Sequence, residues 1–217
     1  MHTDRRDARG RPQGRKGFTL VELAVVLLIM GLVGWIFYGS IFSLGHKEQA
    51  GQADRDLRTA EAALHGLVVT SRGLPTQRDS GSVAAYPRAG LLPSSVAPQR
   101  DPWNQDILYF AAPEITGPGT LQNALSTRLR VRIYAGVGSG GAFPAADAPL
   151  DRETTDVAYV LLSRGANLQG QATVTTAGGI TIVNLLRGGG PLNDGTGQDY
   201  DDLARFGSLT QLKALAP

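Results

Sequence analysis

No cysteine occurs anywhere in the 217 residues. That excludes a disulfide scaffold, thiolate metal sites and cysteine nucleophiles, and it leaves the redox compartment unreadable from thiols. Net charge is also scarce, at +2. Residues 1–17 hold six cations (Arg5, Arg6, Arg9, Arg11, Arg15, Lys16) against Asp4 and Asp7, a local charge of +4. Subtracting +4 from +2 leaves −2 for residues 18–217. The body therefore has no basic surplus, which argues against nucleic acid as the main partner. Charge of either sign is missing altogether from Leu23 to Leu44. What the chain does contain is 42% apolar residues, enough for a core, with 28 glycines and 12 prolines that favour a loop-rich or β-rich body. After a membrane segment there is room for one modest soluble domain.

The uncharged run is long enough to cross a bilayer, which takes roughly 20 apolar residues. The cationic flank before it predicts a cytoplasmic amino terminus and an outward-facing remainder. A cleaved secretory signal is disfavoured: the apolar core exceeds the usual ~7–15 residues and no A-x-A site precedes the polar segment. Arg5-Arg6 is followed by Asp7-Ala8-Arg9 rather than an apolar residue, so twin-arginine export is not indicated. A plain signal anchor remains, in which Glu22 reaches back to the interface.

The stretch R15-K-G-F-T-L-V-E-L resembles the processing site of type IV prepilins and type II secretion pseudopilins. The resemblance implies cleavage by prepilin peptidase between Gly17 and Phe18, N-methylation of Phe18, and an assembly role for Glu22. In such filaments the glutamate of one subunit faces the terminal amine of a neighbour. A buried carboxylate is tolerable when paired and expensive when alone. The leader of 17 residues is longer than the short leaders common in the family.

Beyond Gly45 the helical pattern continues. Ala50, Ala53, Leu57, Ala60, Leu64 and Leu67 recur at alternating spacings of three and four, one apolar stripe flanked by Asp54, Arg55, Asp56, Arg58 and Glu61. The stripe predicts packing on the chain's own sheet rather than a coiled coil. Gly73 with Pro75 supplies the stop, so a single helix over Phe18–Arg72 would measure about 80 Å. Residues 74–105 read as a long connecting loop. Strands are predicted at Ile107–Ala111, Arg128–Ala135, Val157–Leu162 and Ile180–Leu185. The expected fold is α+β: a long helix on a small antiparallel sheet, pilin-like. The domains are a basic leader at 1–17, a transmembrane and filament-core helix at 18–44, an amphipathic helix at 45–73 and a β-rich head at 74–217.

Three body motifs extend the resemblance. D101-P-W-N resembles the D-P-W-G turn of pseudopilins, with Asn104 where glycine is usual; asparagine also tolerates left-handed backbone. L162-S-R-G-A-N resembles the S-x-G-x-[ND] turn after a strand. Y200-D-D-L-A-R-F resembles the acidic carboxy-terminal motif of a minor pilin-like group, as S71-R-G-L-P resembles its helix-ending turn. The likeness is strong over 15–44, thinner over 45–112 and 157–206, and absent over 113–156.

Asp194, Asp199, Asp201 and Asp202, with Asn193, form a weak calcium candidate, calcium being bound in a corresponding loop of major pseudopilins. The spacing is not that of an EF-hand, and the alternative is Asp201 or Asp202 capping backbone amides. Gly136-V-G-S-G-G141 satisfies G-x-G-x-x-G, yet Pro144 and Pro149 follow where a dinucleotide site needs a helix. His2, His46 and His65 lack ligand spacing, and Ser163 lacks a nucleophile's context. No catalytic residue and no cofactor other than that calcium are expected. The resemblance implies a minor structural subunit in the bacterial inner membrane, head in the periplasm, later in a pilus or pseudopilus. Its implied partners are prepilin peptidase, other pilin or pseudopilin subunits, and an inner-membrane platform protein. Two alternatives stay open: a membrane-anchored periplasmic binding domain that never polymerises, and a DNA-uptake minor pilin using Arg128, Arg130 and Arg132 on one strand face.

Overall fold

The computed structural model describes residues 19–79, 86, 89–136, 143, 148–165, 172–187 and 202–216, without the side chains of 36–47. The chain divides into two compact units, Met1–Gly45 and His46–Pro217. Helix α1 (Leu20–Ser71) begins in the first and ends in the second. In the first unit every side chain from Thr19 to Trp35 is exposed. Among the described residues no helix is long and apolar enough to cross a membrane. Nine of the 22 residues of the uncharged run, 36–44, have side chains outside the description.

In the second unit α1 turns a narrow face inward. Ala53, Leu57, Ala60, Leu64 and Val68 are buried, spaced as one helical stripe requires. The predicted stripe is shortened at its start and shifted at its end, since Ala50 and Leu67 are only half-buried and Val68 is buried. Four of these positions, Leu57, Ala60, Leu64 and Val68, join residues of the sheets in a single core that includes Leu108, Phe110, Val131, Val160, Leu162 and Val183. Burying a side chain such as Leu57 or Leu64 contributes about 1.5–3 kcal/mol.

The remaining elements are β1 (Gly90–Leu91), β2 (Leu108–Ala111), a 3-10 turn (Pro113–Ile115), α2 (Thr120–Asn123), β3 (Leu129–Tyr134), β4 (Leu150–Thr154), β5 (Val157–Ser163), β6 (Thr173–Ala177), β7 (Ile180–Leu186), β8 (Leu203–Ser208) and α3 (Leu209–Leu215). The four predicted strands are β2, β3, β5 and β7. They belong to two four-stranded sheets, β1-β2-β5-β8 and β4-β3-β7-β6. The first is antiparallel throughout; in the second, β3 and β7 run parallel. The architecture is α+β, with twice the sheet expected. All seven residues of β5 are buried, which is why V157-A-Y-V-L-L lacks polar alternation. The strands that went unpredicted either carry no apolar period, as in L150-D-R-E-T, or are as short as β1.

Residues 74–105 do more than connect helix and sheet: Leu74, Tyr86, Ala89, Leu92 and Val96 are core residues. Their spacing among prolines and serines follows neither a helical nor a strand period, so pattern alone does not reveal them. The helix end differs too. Arg72, at φ +54°, takes the left-handed position that stops α1. Gly73 serves close approach instead, because a Cβ there would lie 1.8 Å from the Gly117 carbonyl oxygen. That contact lets residues 117–121 fold over the helix end, where Gly119 N–H and Leu121 N–H donate to the Ser71 and Arg72 carbonyls. Open carbonyls at a helix terminus need such donors.

Candidate functional site

Glu22 lies in the first turn of α1, and its partner there is Thr19. The Thr19 backbone N–H and Oγ1–H both donate to Glu22 Oε2, at 2.9 and 3.0 Å, and the Glu22 N–H donates back to Thr19 Oγ1 at 3.2 Å. This is a reciprocal capping box, with Thr19 as N-cap and Glu22 at the third helical position. Its signature, T19-x-x-E22, is plain in the sequence; reading Glu22 only as a charge in an apolar run hid it. Gly17 and Phe18 lie outside the described residues.

In the head, two of the motif turns meet across 62 residues of chain. Asp101 is buried. Its Oδ1 accepts from the Trp103 and Gln105 backbone amides at 3.1 and 2.9 Å, closing the D-P-W-N turn. Its Oδ2 accepts from Ser163 Oγ at 2.8 Å, and Gln105 Nε2 donates to the Gly165 carbonyl at 2.8 Å. A buried carboxylate is stable here because donors meet both oxygens. Asn104 takes the left-handed conformation, φ +62°, as its place in the turn predicts. Trp103 Nε1 donates to Gln49 Oε1 of α1 at 3.0 Å. Ser163 is thus a structural donor at the end of β5, not a nucleophile.

The carboxy-terminal motif docks on α1. Arg205, on β8, donates from Nε to Glu61 Oε2 at 2.6 Å and from Nη1 to Asp54 Oδ1 at 3.4 Å. Tyr159 Oη donates to Glu61 Oε1 at 2.8 Å, and His65 Nε2 stands 2.8 Å from the same hydroxyl. Since that hydroxyl proton goes to Glu61, His65 is the donor to Tyr159. Burial works against the Arg205 charge, yet the hydrogen bond to Glu61 and the charges of Glu61 and Asp54 raise its pKa overall. Burial, reinforced by Glu61, pushes the Tyr159 phenol well up; burial alone does so for Tyr109. Room for the Tyr159 ring comes from Gly207 opposite it on β8, where a Cβ would lie 2.6 Å from the ring. The stripe's neighbours Asp54 and Glu61 were legible as charges, but nothing local in the sequence pairs them with Arg205.

Asp202 is buried, and its Oδ2 accepts from the Ala172 backbone amide. Asp194, Asp199 and Asp201 lie outside the described residues, as do His2 and residues 137–142 of the glycine-rich loop. Among the described residues no cluster of His, Asp or Glu is placed to hold a metal ion. The three arginines of the proposed basic face are met by carboxylates. Arg128 pairs with Glu114 at 3.6 Å, while Arg130 and Arg132 both pair with Glu153 of β4 at 3.4 Å.

The family model for the prokaryotic N-terminal methylation motif matches residues 12–38. No curated protein and no solved structure matches the chain. Residues 12–38 carry the signature of type IV prepilins and pseudopilins.

Proposed function

We propose that the chain is a minor pilin-like subunit, made with a basic leader, cut between Gly17 and Phe18 and N-methylated on Phe18. The observation that carries this reading is the methylation motif over residues 12–38, a range that contains G17-F-T-L-V-E22. Residues 18–44 hold the subunit in the inner membrane and then form the filament core; the head faces the periplasm. Glu22 pairs with the terminal amine of a neighbouring subunit and fixes the axial register, because only one stagger brings the two charges together. The partners are prepilin peptidase, other pilin or pseudopilin subunits and an inner-membrane platform protein. The system is a type IV pilus or a type II secretion pseudopilus. Replacing Glu22 by alanine in the producing cell is the test. Loss of the subunit from filaments at a normal membrane level supports the reading, and unimpaired incorporation overturns it.

The carboxylates against Arg128, Arg130 and Arg132 weigh against the DNA-uptake alternative, since phosphate binding needs cations free to displace counterions. Calcium at Asp194, Asp199, Asp201 and Asp202 would have to share Asp202 with the Ala172 amide. A calcium titration that leaves the thermal midpoint of the full chain unchanged removes that ion from the account.

A further inference from the structure

We infer that Trp103 is an interfacial anchor: while the subunit waits in the membrane, the D-P-W-N turn rests at the bilayer surface with the Trp103 indole among the lipid headgroups. The inference rests on the membrane placement of residues 18–44 proposed above. Trp103 is a large aromatic that the core of the head does not use. Tyr86, Tyr109, Phe110 and Tyr159 are sealed in that core and Phe206 packs against it. Trp103 belongs to neither set and is half-buried. It is nonetheless held in place. Asp101 Oδ1 accepts from its backbone amide at 3.1 Å, and its indole N–H donates to Gln49 Oε1 at 3.0 Å. Asp101 is in turn tied to Ser163 at the end of β5. A fixed turn therefore presents a partly open indole beside an exposed polar side chain of α1.

Chain length brings that contact to the bilayer surface. The uncharged run Leu23–Leu44 has 22 residues, about 33 Å as helix, against a hydrocarbon core of about 30 Å. With the run filling the core, Gln49 follows its end by five residues of unbroken helix, about 7.5 Å. A headgroup layer is about 5–8 Å deep on each side. Gln49, and Trp103 bonded to it, thus stand at headgroup height. Tryptophan suits that layer, because its ring is apolar and its one N–H is polar. The same turn carries Arg100 and Asn104, both exposed, with Arg100 Nη1 donating to Asn104 Oδ1 at 3.0 Å. Such polar neighbours fit the interface and would be costly in the hydrocarbon. The anchor sets the height of the head above the lipid and is given up when the subunit is drawn into a filament.

The chain has two tryptophans, Trp35 and Trp103, so each can be read alone by fluorescence. The full chain is reconstituted in vesicles of phosphatidylethanolamine and phosphatidylglycerol. Their acyl chains carry bromine, a contact quencher, either just below the headgroups or near the bilayer centre. In Trp35→Phe, which leaves the head untouched, Trp103 should lose several-fold more emission to the shallow bromine than to the deep one. Equal emission in brominated and plain vesicles overturns the inference, whether water or a neighbouring subunit covers the ring. So does stronger quenching by the deep bromine. In Trp103→Phe the remaining Trp35, near the middle of the uncharged run, should be quenched most by the deep bromine. If Trp35 is insensitive to both positions, the membrane placement itself fails. If Trp35 is quenched and Trp103 is not, only the anchor fails.

Discussion

Helix α1 is one element under two regimes. From Leu20 to Trp35 its leucines, valines and Met30 are exposed, Leu20 and Trp35 each at 84%. From Ala53 to Val68 a single stripe is sealed, with Ala53, Ala60, Leu64 and Val68 at 0%. The first stretch is apolar on every face and carries little besides Glu22 that is polar. The second is apolar on one face and bounded by ion pairs. A helix apolar all round calls for an apolar surrounding, and one with a stripe calls for a partner on that side only. Within the chain the stripe's partner is present; among the described residues none covers the uniformly apolar stretch, which the proposed function would place in a membrane or a filament core.

The comparison breaks most visibly at the stripe. Leu64→Ala should cost about 2–5 kcal/mol of head stability, read as a lower thermal midpoint of the full chain in detergent. Leu28→Ala, in the exposed stretch, should leave that midpoint unmoved. An equal loss in both variants would erase the distinction. Next comes Gly73→Ala, which drives a Cβ into the Gly117 carbonyl. Backbone must move, and about 1–3 kcal/mol should be lost with it. Loss of amide protection at Gly119 and Leu121 in hydrogen exchange checks the mechanism.

High pH sharpens the same contrast, because the head alone buries Tyr109 and Tyr159. Both phenols are held neutral by burial. The unfolded chain ionises its tyrosines above about pH 10, so head stability is full below that pH and falls as pH rises beyond it. Each fully shielded phenol then removes about 1.4 kcal/mol per pH unit. Phenolate absorbance should appear for these two residues only with unfolding; earlier ionisation at constant fold would contradict the burial. Arg205→Met should cost about 1–2 kcal/mol, since Glu61 is left under the sheet with one donor fewer. A double cycle with Glu61→Gln measures the coupling. The smallest effect is at Asn104, where glycine should change stability by only a few tenths of a kcal/mol and alanine by about 1 kcal/mol, given the positive φ. Equal midpoints for the two variants would deny the turn its left-handed constraint.

Local chemistry was legible where one residue decides the backbone. Asn104 in its turn, the stripe of α1 and the four strongest strands all follow from nearest neighbours in sequence. What stayed hidden depends on pairs distant in the chain. The parallel β3–β7 pairing joins residues about fifty apart, and Asp101 meets Ser163 across 62 residues. Residues 74–105 hide core positions because buried irregular chain has no period to betray it. At the helix start the opposite happened. The capping box was fully written in T19-L-V-E22, but the specific reading of Glu22 as a docking charge drew attention from its ordinary one, and the structure allows both.

The most direct measurement is the intact mass and terminal sequence of the membrane-held form. The account predicts a chain that starts at N-methylated Phe18 and lacks residues 1–17. A mature chain that still begins at Met1 would contradict it.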